Sequence, residues 1–272
     1  MTKFGTFGQY PKESLPSAEA ALLTVWPSLA RYHDDLVLVG GLAVHYLTRH
    51  DLSDLPGAVT MGVDLGIMLA ASGGLYGTIR SELAGLDFRR DTTDENRLVR
   101  KYGSLNLYLD FITEHPPAVT GSWMADDVVA SVVPGVDRAL ACRRWVKVQG
   151  RDVFGAEQNC EVAVADIGPL LVLKLNAFGG PIGRRLPKDA YDMLLAVRGF
   201  VDGPETAVAA FRAEAKADNP GYESARATLR KDFSARDQDG PIRAAEFLMG
   251  HVDDRERIRE DVVTVAKFLL GE

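Results

Sequence analysis

"AVTMGVDLGI", residues 58–67, decides how the first half of this chain is read. Val63, Leu65 and Ile67 alternate with Gly62, Asp64 and Gly66. A period of two is the mark of a strand with one buried face. Asp64 then points away from the apolar set, between two residues that have no side chain. Such a strand can carry an acid to the edge of a site, which leaves the two glycines to be explained.

The flanking segments extend the pattern. "DLVLVGG" (35–41) reads as a short buried strand ending in Gly40-Gly41, and "LAVHYLTRH" (42–50) as a helix. "GGLYGTIRSELAGL" (73–86) reads as a helix. "DFRRD", "NRLVRKY" and "LNLYLDFI" (87–91, 96–102 and 105–112) are strands separated by turn residues. Residues 114–135 have no clear period. "ACRRWVKVQG" and "CEVAVAD" (141–150 and 160–166) are again strands. Upstream, residues 1–13 read as a loose Gly-rich arm, and a helix is expected to start near Ser17.

From Asp166 the pattern turns helical, with six successive amphipathic or apolar segments to the end. The expected fold class is α+β: a mixed-sheet domain over residues 1–165, then an all-helical domain over residues 166–272.

Composition sets the outer bounds. The chain has 272 residues, 46% hydrophobic and 25% charged, as expected of a globular protein. It has no apolar run of about 18 residues, so no membrane span is expected. The N-terminal residues lack the apolar core of a signal peptide. With only two cysteines, Cys142 and Cys160, the expected location is cytoplasmic. A net charge of −7 argues against binding nucleic acid by charge alone. Basic residues nevertheless gather in the middle third: Arg89, Arg90, Arg97, Arg100, Lys101, Arg143, Arg144, Lys147 and Arg151. They are expected to line the acid-bearing cleft, where local positive charge would focus an anionic substrate.

Three features carry chemistry. The Gly40-Gly41 turn leads into a helix whose N-terminus offers free N–H groups to a phosphate, although a tight turn alone also calls for glycine. Asp64 is the second. Asp110, the lone acid of "LYLDFI", is the third. Either acid could simply face solvent. On neighbouring strands, the two could share a divalent cation. Other catalytic readings are poor. The five histidines have no metal-ligand spacing, and there is no P-loop or Gly-x-Ser-x-Gly pattern.

The ordered set "LVLVGGLAVHYL", "TMGVDLGI" and "LYLDFI" resembles the nucleotidyltransferase superfamily related to polymerase beta. "VADIGPLLVLKLNAF" followed by "RRLPKDAYDMLLAV" is similar to its AbiEii-type branch, the toxins of bacterial toxin–antitoxin and phage-abortive systems. The likeness spans about residues 36–200. It implies a nucleotidyltransferase domain completed by a helical domain. The activity implied is transfer of a nucleoside monophosphate from an NTP to a hydroxyl of RNA, protein or a small molecule. The cofactor would be Mg²⁺ or Mn²⁺, and a protein antitoxin would be a partner.

In that pattern Asp64 and Asp110 hold the metal. Gly40, Gly41 and Thr60 shape the phosphate site, Lys174 contacts the triphosphate, and Lys188, Asp189, Tyr191 and Asp192 belong to the matching helix. Asp189 or Asp192 would position Lys174 or act as a base. Arg184 and Arg185 would meet triphosphate or RNA. Gly40-Gly41, Asp64, Asp110 and Lys174 are expected to converge on one cleft. Asp189 as a residue favoured by the helix dipole, and Asp192 as a plain partner of Lys174, are the structural alternatives.

The chain departs from the pattern twice. Aligned on Thr60, the first acid of Asp-x-Asp is Gly62, and an arginine two residues before the threonine is Ala58. Gly62 either lets a ligand approach the bare strand or marks a site that no longer binds. A non-catalytic, nucleotide- or partner-binding descendant of the fold is therefore the alternative function. A helical interaction protein is the more distant one.

Overall fold

The computed structural model describes residues 4–68, 79–94, 96–114, 121–125, 128–181 and 183–272. The chain divides into two compact units. One holds Lys12–Ala43 and Thr60–Ala165; the other holds Thr2–Pro11, Val44–Val59 and Asp166–Glu272.

The first unit is a mixed open sheet with helices. The helix α1 (Ser14–Ser28) opens it, followed by β1 (Leu36–Val39), the first turn of α2 (Gly40–Leu47), β2 (Gly62–Ile67) and α3 (Ile79–Gly85). Then come β3 (Arg89–Arg90), β4 (Arg97–Tyr102), β5 (Leu105–Thr113), β6 (Gly121–Ala125), β7 (Val128–Val132), α4 (Val136–Ala141), β8 (Arg143–Arg151) and β9 (Glu157–Ala165). The expected helix over residues 73–86 falls partly outside the described residues. The patternless residues 114–135 supply β6 and β7.

Strand order is β3-β4-β5-β2-β1-β9-β8, with β7 paired to the far end of β5 and β6 paired to β7. The β1–β2, β4–β5 and β8–β9 pairs are antiparallel, while β2–β5 and β1–β9 are parallel. The period of two in β2 and β5 has the expected result. Val63, Leu65 and Ile67, with Leu107, Leu109 and Phe111, are buried. The helix α1 packs along β2, β5, β8 and β9. Its Trp26 donates from Nε1 to the Glu161 carbonyl at 2.9 Å, so the buried indole N–H is satisfied. The helix begins at Ser14 rather than Ser17, because Pro16 is tolerated in a first turn.

The second unit carries the six helices expected from the pattern: α5 (Ile167–Gly179), α6 (Pro187–Arg198), α7 (Pro204–Ala213), α8 (Tyr222–Asp232), α9 (Asp239–Phe247) and α10 (Arg255–Leu270). Two sequence-distant segments join them. Residues 44–59 are tied in by the Thr48–Phe200 bridge, by Arg198 on Asp54 at 2.9 Å and by the Tyr191 hydroxyl donating to the Pro56 carbonyl. Over its described residues the N-terminal arm is held in place. Phe7 and Tyr10 stack edge-on against Phe247, and Phe7 also meets His251. Aromatic rings, which bury large area, hold the arm where its glycines suggested freedom. No helix among the described residues is long and apolar enough to cross a membrane.

Candidate functional site

The first cluster is built by strand register. Parallel pairing of β2 with β5 sets Asp64 directly beside Asp110. Neighbouring strands lie about 4.8 Å apart, so the two acids share one face of the sheet at close range. Antiparallel pairing of β4 with β5 sets Arg97 beside Asp110 on the other side. The row across three strands is thus Arg97, Asp110, Asp64.

Gly40 explains part of the local pattern. It has φ +71°, and an added Cβ would stand 1.9 Å from Asp64 Oδ2 and 2.5 Å from its Cγ. The Asp64 carboxylate therefore lies against the first residue of α2, where the helix dipole favours an anion. The group placed against the glycine turn is this carboxylate.

The two glycines flanking Asp64 each admit a neighbour. At Gly66 an added Cβ would meet Val37 Cγ1 at 2.8 Å and Val136 Cγ1 at 3.1 Å, so the glycine lets α4 approach the sheet. At Gly62 it would meet the Tyr108 carbonyl oxygen at 3.1 Å and Tyr108 Cβ at 3.2 Å. Thr60 serves this same turn. Its hydroxyl accepts from Gly62 N at 3.3 Å and lies 3.2 Å from the Gly62 carbonyl.

Arg97 was visible in the sequence only as one of nine basic residues. It is 3% exposed, donates from Nε to Asp110 Oδ1 at 2.8 Å, and closes a second bond from its NH2 arm to Oδ2. Its guanidinium also lies 4.8 Å from the centre of the Tyr108 ring. Four of the other basic residues have different partners. Arg143 reaches the carbonyls of His33, Asp34 and Leu36; Arg151 pairs with Glu157; Arg89 pairs with Asp87; and Arg100 sits over Phe154.

Burial pushes the Asp110 carboxyl up to about 6; the Arg97 hydrogen bonds oppose this, and the neighbouring Asp64 charge adds to it. A folded-state value above the unfolded one means that the folded chain takes up this proton more readily. The stabilisation is full below about pH 4 and is lost as pH rises through about 6. Carbon-13 NMR of the Asp110 carboxyl should show a midpoint near 6. The midpoint should fall in Asp64→Asn, where the like charge is gone. An unchanged midpoint would show that Asp64 does not act on Asp110.

The donor set does not fit a shared magnesium ion. Magnesium needs carboxylate oxygens at about 2.1 Å in near-octahedral array. Both oxygens of Asp110 are engaged by Arg97, and the position of the first acid is Gly62, crowded by Tyr108. Among the described residues, no group of three or more His, Cys, Asp or Glu side chains is placed to hold a metal ion.

The second cluster lies within the helical unit. Lys174 on α5 and Lys188 on α6 both donate to one oxygen of Asp192, Oδ2, at 2.5 and 2.6 Å. All three are buried, Asp192 to 1% side-chain exposure. The other oxygen, Oδ1, is buried without a hydrogen-bond partner. The expectation that Asp192 partners Lys174 is met, and Lys188, one turn before Asp192, joins the pair. Asp189 is buried and accepts from half-exposed Arg184 at 3.0 Å. Arg185, at φ +50°, bridges Asp232 and Asp239 and so ties the loop before α6 to α8 and α9. Burial, then the charges of Asp192 and Asp189, push the Tyr10 phenol far above the usual tyrosine range.

No protein-family model matches the chain, and no curated protein matches it. The functional reading accordingly rests on the two clusters themselves.

The sequence singled out the acids and Lys174, named Arg97 only as one of the basic residues expected beside the acids, and gave no sign of Tyr108 or Tyr10. For Arg97 the available signal was its phase. In "NRLVRKY" it alternates with Leu98, on the face of Val99, but its register against Asp110 is not written in either strand.

Proposed function

We propose that this chain is a nucleotide-binding descendant of the nucleotidyltransferase fold, which takes the phosphates of a nucleoside triphosphate on the Lys174–Lys188 pair. The observation that carries this reading is the charge balance around Asp192. Two buried ammonium groups share one carboxylate oxygen. Each ammonium has three donors, and among the described residues each meets one acceptor, the shared Oδ2. A buried excess of positive charge is costly, and phosphoryl oxygens would offset it. Arg184, half-exposed beside Asp189, would extend the same anion site towards solvent.

A second reading is transfer of the nucleoside monophosphate to a hydroxyl of RNA, protein or a small molecule, as the toxin of a toxin–antitoxin pair. The observation favouring it is the in-register placement of Asp64 and Asp110. Release of pyrophosphate separates the two readings.

The test is a melting-temperature panel of ATP, GTP, CTP and UTP in EDTA, with wild type and Lys188→Met. Binding at about one hundred times the dissociation constant should add about 2.7 kcal/mol to wild type. The variant should lose most of that gain. Failure of every NTP, and of inorganic triphosphate, to stabilise wild type would overturn the reading.

A further inference from the structure

The pair of adjacent strands that bears the acids poses a charge problem that the fold has already met. Two carboxylates side by side on parallel strands repel, and a divalent ion is the usual remedy where acids are paired for phosphate chemistry. Here the remedy is a side chain. Arg97 stands in the same transverse row as Asp110 and Asp64, one strand away, and its fork is seated on both oxygens of Asp110.

We propose that Arg97 is the fixed counter-cation of the Asp64–Asp110 pair and keeps divalent metal out of it. Arg97 is thus a positioning residue, and the acid pair is a metal-independent site.

Three features of different origin agree on this. The first is the fork itself. A planar guanidinium matches a carboxylate in two-point fashion, which is stronger and more directional than a single bond. An entering ion would have to break both bonds and would place a double positive charge beside a buried single one. The second is the aromatic support. The Tyr108 ring lies 4.8 Å from the Arg97 guanidinium carbon and fixes the cation from a second direction. The third is Gly62. The strand position that could supply another acid faces Tyr108, with 3.1–3.2 Å available to a Cβ. A side chain at position 62 would press on the carbonyl and Cβ of its own ladder partner, so this row offers no ready third ligand. Asp94 Oδ2, 3.8 Å from the remaining arm of Arg97, adds a further anion to the same guanidinium.

The inference stands apart from the nucleotide reading, because its probe is a metal ion alone. Mn²⁺ is titrated into the full chain and free Mn²⁺ is followed by its paramagnetic resonance signal. The proteins are wild type, Arg97→Gln, Asp110→Asn and Arg97→Gln/Asp110→Asn. Wild type is expected to show no uptake that Asp110→Asn removes. Arg97→Gln, which uncovers the carboxylates, is expected to bind Mn²⁺ about tenfold or more tightly than wild type, a difference of about 1.4 kcal/mol. The double variant should lose that gain. A merely structural role for Arg97 would lower stability without creating a metal site. The proposal is overturned if wild type takes up Mn²⁺ through Asp110, or if Arg97→Gln folds and gains no affinity. Should Arg97→Gln fail to fold, the comparison of wild type with Asp110→Asn decides alone. Uptake lost in Asp110→Asn overturns the proposal, and equal absence of uptake in both supports it.

Discussion

Asp192→Ala is expected to lower the unfolding free energy by about 3–5 kcal/mol, the cost of leaving a buried charge without its partner. Two ammonium groups, not one, lose their shared acceptor, since Lys174 and Lys188 both point at Oδ2. Both lysines are buried, so water replaces the lost acceptor only in part. The loss should be partly reversible by a second change. Asp192→Ala/Lys188→Met removes one stranded cation and should recover more than about 1 kcal/mol of the single-variant loss, a coupling within the range seen for residues in one network. Urea denaturation of the three proteins measures both quantities. A loss below about 1 kcal/mol for Asp192→Ala would put the pair in the class of weak surface bridges and remove the charge argument for an anion site.

The sequence made some of this cluster legible and hid the rest. Lys174 interrupts an apolar run, which is costly unless the amine finds a partner, and the spacing of Lys188 and Asp192 puts both on one helix face. Helical periodicity and caps are local properties, so all six helices of the second unit could be read from their own residues. The strands that carry Asp64 and Asp110 were legible for the same reason. Pairing between distant segments is not local. Nothing in residues 44–59 says that Asp54 will meet Arg198, and nothing in the Gly-rich N-terminal arm says that Phe7 and Tyr10 will lie on Phe247. Arg97 is the clearest case. Its partner is 13 residues away across a hairpin, and a shift of register by one residue would have sent it to the opposite face.

Gly40→Ala is expected to cost about 2–5 kcal/mol, most of it through Asp64. A left-handed backbone costs a residue with a side chain roughly 1–2 kcal/mol relative to glycine. At φ +71° that cost applies in full. The greater part of the loss is steric. A Cβ at 1.9 Å from Asp64 Oδ2 and 2.8 Å from Asp64 Cβ cannot be accommodated by a rotation of the carboxylate alone. Either Asp64 leaves its place against α2, or β1 and α2 separate from β2. Overpacking of this kind typically adds about 1–3 kcal/mol. If the clash is with Asp64, then Asp64→Gly should relieve it. The double variant Gly40→Ala/Asp64→Gly would lose less stability than the sum of the two single variants, by at least about 1 kcal/mol, as expected for residues in contact. The backbone cost would remain, because the second change leaves φ at residue 40 where it is. Strict additivity in denaturant unfolding would show that the Gly40-Gly41 turn needs glycine for the chain's own path and not for the acid. The doublet would then be a feature of the turn, and Asp64 would owe its position to the strand alone.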